Sequence, residues 1–364
     1  MTRPDPASLP PITRNAALDA ARGILMMLGV LLHTANIYTL DGSWLVSDSQ
    51  RNGFFDLLVE AIHTFRMPAF FWISGYFCAL TFERNGAQGL LHKRLPRLAV
   101  PLLATWLTLN VAQVFLLATL KGDNGLQALG GGVPLFHLWF LVDLLFYIGI
   151  AALLLPHMRH FSGTFSRLAK LPAWGLMAFF AVITVALNIA TRLTGIAYDS
   201  PFGLTSLYRL ASYAPYFAVG IFMYRHAHAR EAFLRMPYLL LLVALPLAVV
   251  ADRYTSGQSR LVNEAALLVY TLLVWVSIAV VLRLFHDFVR RDSPLTRFLS
   301  DIAYTVYLFH HIIVVLLGYL LIRQDWGAGW KFLVITSVSL AATILIHVLL
   351  IQRVPVLRRL FNGK

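Results

Sequence analysis

Only one cysteine, Cys78, occurs in the 364 residues. That excludes an intramolecular disulfide and leaves nothing to suggest a Cys/His metal cluster; its apolar surroundings make it a packing residue. Acidic residues are scarce as well, 17 against 30 lysines and arginines, and charges of both signs make up only 13% of the chain. Long polar stretches are missing too. No connection between apolar runs exceeds roughly 25 residues, which leaves no room for a separate water-soluble domain. Residues 1–15 hold Arg3, Asp5, Arg14 and four prolines ahead of any apolar run. That order is wrong for a cleaved signal peptide, so this segment is expected to be a cytoplasmic arm. No internal repeat of the kind that builds inverted-repeat transporters is evident.

What is present is apolar: 59% of residues are hydrophobic and the mean hydropathy is +0.70. Such a chain needs lipid as its solvent. The net charge of +13 does not point to nucleic acid, because the basic residues fall between long apolar runs and form no continuous polar face. Runs long enough to cross a bilayer lie at about 18–38, 62–82, 98–120, 136–156, 173–194, 206–224, 237–252, 262–284, 301–322 and 330–352. The expected fold is all-α, a polytopic bundle of about ten transmembrane helices over residues 16–355, with a short cytoplasmic tail at 356–364. Basic loops stay on the cytoplasmic side. With the N-terminus inside, that side collects 20 basic residues, among them Arg84, Lys93, Arg94, Arg97, Arg283, Arg353, Arg358 and Arg359. The opposite side collects seven, including Arg51, Arg253, Arg323 and Lys331. Three are assigned to neither side and fall well within the spans: Arg22, Arg66 and Arg209.

Intramembrane charges are costly and mark candidate sites. Arg22 and His33 are 11 residues apart on the first helix, roughly 20° apart on one face and about 16 Å along the axis. Each has a bland explanation, snorkelling for Arg22 and an interior hydrogen bond for His33. Together they suit a long anionic ligand whose reactive end reaches the histidine. On the next helix His63 and Arg66 precede Pro68, which frees the Thr64 carbonyl and is expected to kink the helix beside a buried charge. Arg66 alternatively pairs with Glu60. Arg209 is at the same outer level. His137 and Trp139 lie at an interface where aromatic residues are common, and Asp143, deeper on that helix, needs a partner. Tyr304, Tyr307 and His311 share a helix face, with His310 beside them, and His347 is expected to be structural.

Arg22 and His33 match the arginine, ten residues, histidine signature of the membrane-bound acyltransferase 3 family, which moves acyl groups onto extracytoplasmic carbohydrates. Further segments resemble the subgroup of succinyltransferases that modify osmoregulated periplasmic glucans: Leu31 to Tyr38, Ile62 to Phe77, His137 to Leu141, Tyr307 to His311 and Arg353 to Lys364. The similarity spans essentially the whole chain. It implies a protein of the bacterial inner membrane with a cytoplasmic acyl-CoA donor, a periplasmic glucan acceptor and no permanently bound cofactor or metal. Membrane lipid, and the glucan synthesis machinery, are the partners it implies.

On this resemblance His33 is the expected general base and Arg66 the group at the oxyanion or at the distal carboxylate of a succinyl group. Arg22, Lys93, Arg94 and Arg97 are expected to hold the phosphates of CoA. His63, His137, Trp139, Arg209, Tyr307, His310 and His311 are the further candidate substrate contacts. Three alternatives stay open: a secondary transporter or flippase using His33, Asp143 and Arg66 as a proton or anion path, an O-acetyltransferase of another extracytoplasmic polysaccharide, and a non-catalytic scaffold for a glucan synthase.

Overall fold

The computed structural model describes residues 15–158, 162–196, 200 and 203–363. Arg3, Arg14, Arg159 and Lys364, all assigned to the cytoplasmic side by charge counting, lie outside them. The described residues form helices joined by short connections, with no strand among them.

In chain order the helices are α1 (Ala16–Ala35), α2 (Gly53–Thr105), α3 (Val111–Lys121), α4 (Gly125–Gly130), α5 (Trp139–Leu154), α6 (Ser162–Leu168) and α7 (Ala173–Leu193). They continue as α8 (Leu207–Arg225), α9 (Ala227–Phe233), α10 (Leu239–Asp252), α11 (Arg260–Phe288), α12 (Pro294–Leu321), α13 (Ala328–Ile346) and α14 (Pro355–Asn362). Starts follow local chemistry. The Asn15 side chain accepts the Leu18 amide at 3.1 Å and caps α1. Ser293 and Thr296 form a reciprocal capping box at α12, whose first residue is Pro294.

Among the described residues, seven helical segments are long and apolar enough to cross a membrane. The longest, Gly53–Lys121, has 69 residues, about 100 Å at helical rise and over three times a bilayer's hydrocarbon core. It breaks at Gly86, whose φ of 67° and ψ of −174° are open to glycine and costly for other residues. Dihedrals stay helical through Pro68, and the one departure from helical values in α2 comes 18 residues later, at Gly86.

Close backbone crossings align the helices that matter. At Gly75 a Cβ would lie 1.9 Å from the Phe217 carbonyl oxygen, and at Gly220 one would lie 2.0 Å from that of Trp72. α2 and α8 therefore touch backbone to backbone, the small-residue mode of membrane helix packing. Gly23 does the same for α1 against Leu299 of α12, where a Cβ would meet the carbonyl oxygen at 2.9 Å. That crossing sets Arg22 beside Ser300 at one end and His33 beside His310 and His311 at the other. The expected tail is a helix: α14 is packed, with Phe361 buried against Phe309.

Candidate active site

Two polar sites lie along the seam of α1, α2, α5 and α12. The first is a histidine cluster. His33 has ring centroids 5.3 Å from His310 and 4.9 Å from His311. His137 stacks on His311 at 4.7 Å and stands 5.2 Å from His310. The Arg66 guanidinium closes one side. It is buried, its Nε donates to the Leu25 carbonyl at 3.0 Å, and it lies over Gly29, one helical turn before His33. A Cβ at Gly29 would be 2.6 Å from Arg66 Nη2 and 3.6 Å from His310 Nε2, so the absence of a side chain there makes the room.

The cluster's unusual property is unmet hydrogen bonding. Among the described residues 14 buried side-chain polar atoms have no hydrogen-bond partner, and five belong here: His33 Nδ1, both ring nitrogens of His137, His310 Nε2 and Gln113 Nε2. Each such atom costs about 1–3 kcal/mol. Their gathering at one point marks a place built for a polar guest. His310 Nδ1 approaches the Val306 and Tyr307 carbonyls at 2.9 and 2.8 Å; since carbonyls only accept, that nitrogen carries the proton and Nε2 presents a lone pair. The Tyr307 hydroxyl donates to the His137 carbonyl at 2.6 Å, and His311 Nδ1 is 2.9 Å from Gln113 Oε1.

Irregular backbone holds these rings in place. A π-helical turn, Trp106–Asn110, joins α2 to α3. From it the Trp106 indole donates to the Val133 carbonyl at 2.8 Å, and the Asn110 amide donates to those of Pro134 and Leu135 at 2.8 and 3.2 Å. So held, Phe136 adopts φ 46°, the only positive φ at a non-glycine among the described residues, and its ring lies 5.6 Å from His311. Strain of this kind gathers at functional sites. Over the cluster, the loop 39–52 lays Trp44 on His33 at 6.0 Å. Lys331 and Asp48, both fully buried, pin the loop with a 2.8 Å ion pair. Lys331, counted with the basic residues of the outer side, is an interior anchor. In the same loop the hydroxyls of Ser43 and Thr39 bond Asp41 and hold its carboxyl below the ordinary carboxylate range.

The second site is a cavity of about 230 Å³ at the Arg22 end. Arg22, Arg94 and Arg97 line it, with Ser300, Tyr304 and Asn362 supplying neutral polar groups. Arg22 Nη2 donates to Ser300 Oγ at 2.6 Å and stands 3.3 Å from Asp19. Arg94 donates to the Phe77 carbonyl at 2.9 Å and to Thr81 Oγ1 at 2.9 and 3.1 Å. Toward the histidines the cavity walls become apolar and include Phe70 and Phe140, whose rings meet edge to face at 4.7 Å. Phe140 is in turn 6.2 Å from Tyr307.

His33, Arg66, His137, Tyr307, His310 and His311 are therefore brought together, and Arg22, Arg94 and Arg97 form a group of their own. Other candidates fall elsewhere. Lys93 is exposed and donates to Asn85 Oδ1 at 2.6 Å, away from the cavity lining. His63 is exposed and makes none of the ring contacts of the cluster. Arg209 forms a two-point ion pair with the buried Asp143, at 2.9 and 3.2 Å, shares Thr205 with it, and lies 4.8 Å over the Trp139 ring. Arg209 and Thr205 thus answer Asp143's need for a partner. Glu60 is 3.7 Å from Arg253 and is not the partner of Arg66. His347 bonds Thr305 and Asp301, as a structural residue does. Gln113, Trp44, Gly29 and Asn362 were not expected in either site, since an isolated amide, indole or glycine gives no spacing signal.

A family described as an acyltransferase domain matches residues 15–351. Proteins named Glucans biosynthesis protein C from Shigella dysenteriae serotype 1 (strain Sd197) and Escherichia coli (strain K12) are each 26% identical over 380 aligned residues, covering 97% of this chain and 96% of theirs. No solved structure matches.

Proposed function

Because the chain belongs to this acyltransferase family, we propose that it transfers an acyl group, succinyl in the first instance, from cytoplasmic acyl-CoA to hydroxyls of a periplasmic glucan. The observation that carries this assignment is the convergence of unsatisfied polar atoms around His33, one helix face along from an arginine-lined cavity. The glucan acceptor rests on the named relatives. In this proposal the protein lies in the bacterial inner membrane with both termini inside. Its seven apolar segments become ten crossings once Gly86 divides the longest and α8 and α10 are counted. The Arg22 end then faces the cytoplasm and the His33 end the periplasm.

Phosphates of the donor sit among Arg22, Arg94 and Arg97, with Lys93 contributing only from the rim. The pantetheine arm runs along α1, displaces the Phe70 and Phe140 rings and covers the roughly 16 Å to His33. His33 takes the proton from the attacking glucan hydroxyl. As the oxygen bonds the thioester carbonyl carbon, charge builds on the carbonyl oxygen and Arg66 stabilises it. Collapse breaks the carbon–sulfur bond, and the imidazolium returns its proton to the departing CoA thiolate. The products are an ester and free CoA. His310 Nε2 and the His137 nitrogens accept or donate to the acceptor's neighbouring hydroxyls. A proton path through His33, Asp143 and Arg66 finds less support, because Asp143 is saturated by Arg209 and Thr205.

Mass spectrometry of periplasmic glucans tests the assignment, using a strain lacking the protein and complemented with wild type or His33→Ala. Wild type adds a mass increment that names the acyl group, about 100 Da for succinyl, and His33→Ala, present in the membrane at equal amount, lowers acylation by at least about 10²-fold. Unmodified glucan in both strains would sink the glucan acyltransferase assignment. Wild-type acylation by the variant would remove the base from His33.

A further inference from the structure

The arginine-lined cavity has a wall that no spacing signature announces. α14 turns Phe361 and Asn362 inward while Arg358 and Arg359 remain exposed. Asn362 is 7% exposed, lines the cavity, and reaches the Asp301 carbonyl with its amide nitrogen at a weak 3.5 Å. The next residue, Gly363, holds φ 64° so close to α2 that a Cβ would lie 2.7 Å from the Arg97 carbonyl oxygen and 3.0 Å from its Cα. The same carbonyl accepts from the Tyr304 hydroxyl at 3.3 Å. The Arg97 backbone is thus clamped between α12 and the end of α14, and its guanidinium enters the cavity from a fixed root.

We propose that α14 is part of the donor site: Asn362 contacts the anionic, nucleotide-bearing end of the thioester donor, and the Gly363 contact sets where Arg97 stands. This rests on the acyl-CoA assignment above. Residues 362 and 363 then govern donor affinity and leave the transfer step alone. The amide suits that role because it donates to phosphate oxygens without adding charge to a cavity that already holds three guanidinium groups.

Purified protein is assayed with succinyl-CoA and acetyl-CoA as donors and glucan as acceptor. Absence of transfer by wild type from either donor overturns the acyl-CoA assignment itself, before α14 comes into question. With wild type active, Asn362→Asp places a carboxylate where phosphate approaches. The KM for acyl-CoA rises about tenfold or more. The kcat at saturating donor stays unchanged, and so does any activity on the corresponding acyl-pantetheine, which has no nucleotide. Gly363→Ala raises the same KM severalfold by moving Arg97. An unchanged KM in Asn362→Asp, or a kcat that falls with KM constant, overturns the role of α14. If Asn362→Asp does not fold, Asn362→Ala is the deciding variant, and a KM equal to wild type overturns the proposal equally.

Discussion

At the Arg22 end, two of the three arginines are provided for: Arg22 has Ser300 and Asp19, and Arg94 has a carbonyl and a hydroxyl. At the His33 end, about one axial membrane half away, five buried polar atoms have nothing, and the one buried arginine spends a single nitrogen on a carbonyl. α1, α2 and α12 contribute to both ends, so the difference is not one of which helices are at hand. Satisfied, partly exposed cations attract a diffusible anion and let it go, which is an affinity function. Unsatisfied dipoles fixed in a buried place are worth most when charge develops beside them, which is a transition-state function. The contrast divides kinetic consequences: changes at the histidine end should fall on kcat, and changes at the arginine end on KM.

Arg66 gives the largest way to break that contrast apart from the His33 substitution itself. Arg66→Ala should lower kcat for transfer about 10²–10³-fold with little change in donor KM. Arg66→Lys should not restore it, since an ammonium cannot hold the Leu25 carbonyl and also reach over Gly29. Steady-state kinetics on the purified variants measure this. A raised KM with kcat intact would move Arg66 to the donor-binding class and dissolve the contrast.

Gly29 sharpens the contrast by geometry alone. Gly29→Ala adds one methyl 2.6 Å from Arg66 Nη2, the far end of a long side chain that can swing aside. Alanine is the better helix former by about 0.8–1 kcal/mol, so the fold should not suffer. The displaced guanidinium should cost roughly tenfold in kcat, read beside an unchanged thermal unfolding midpoint. An unaffected kcat would mean that the position of Arg66 is irrelevant to transfer.

The all-helical architecture was legible because hydropathy is a strong signal in membrane proteins. The three arginines left inside the spans all proved to have interior contacts, and Arg22, Arg66 and His33 fell into the two sites. What failed to show has a common physical cause. Gln113, Trp44 and Asn362 reach their sites across the bundle from α3, a loop and α14, and such contacts leave no periodicity within one segment. The interruption of α2 at Gly86 falls in the polar stretch between the apolar runs 62–82 and 98–120, where hydropathy already divides the segment, while Pro68 lies within helical dihedrals. Lys331 entered only the charge count, because its partner, Asp48, is far away in sequence.

The smallest expected effect tests the other half of the contrast. Arg22→Ala should raise the KM for acyl-CoA about five- to tenfold and leave kcat nearly unchanged. The loss is modest because the Arg22 side chain is one-third exposed, and Arg94 and Arg97 remain in the cavity. Screening gives an independent readout. If Arg22 meets phosphate, wild-type KM should climb with ionic strength, and the slope should be shallower in Arg22→Ala. Ser300→Ala separates this from a structural role. It removes the 2.6 Å tie between α1 and α12 but keeps the guanidinium, so donor KM should hold or improve as Arg22 is freed. If Ser300→Ala instead reproduces the Arg22→Ala phenotype, Arg22 acts by fastening two helices, and the arginine end loses one of its three donor contacts.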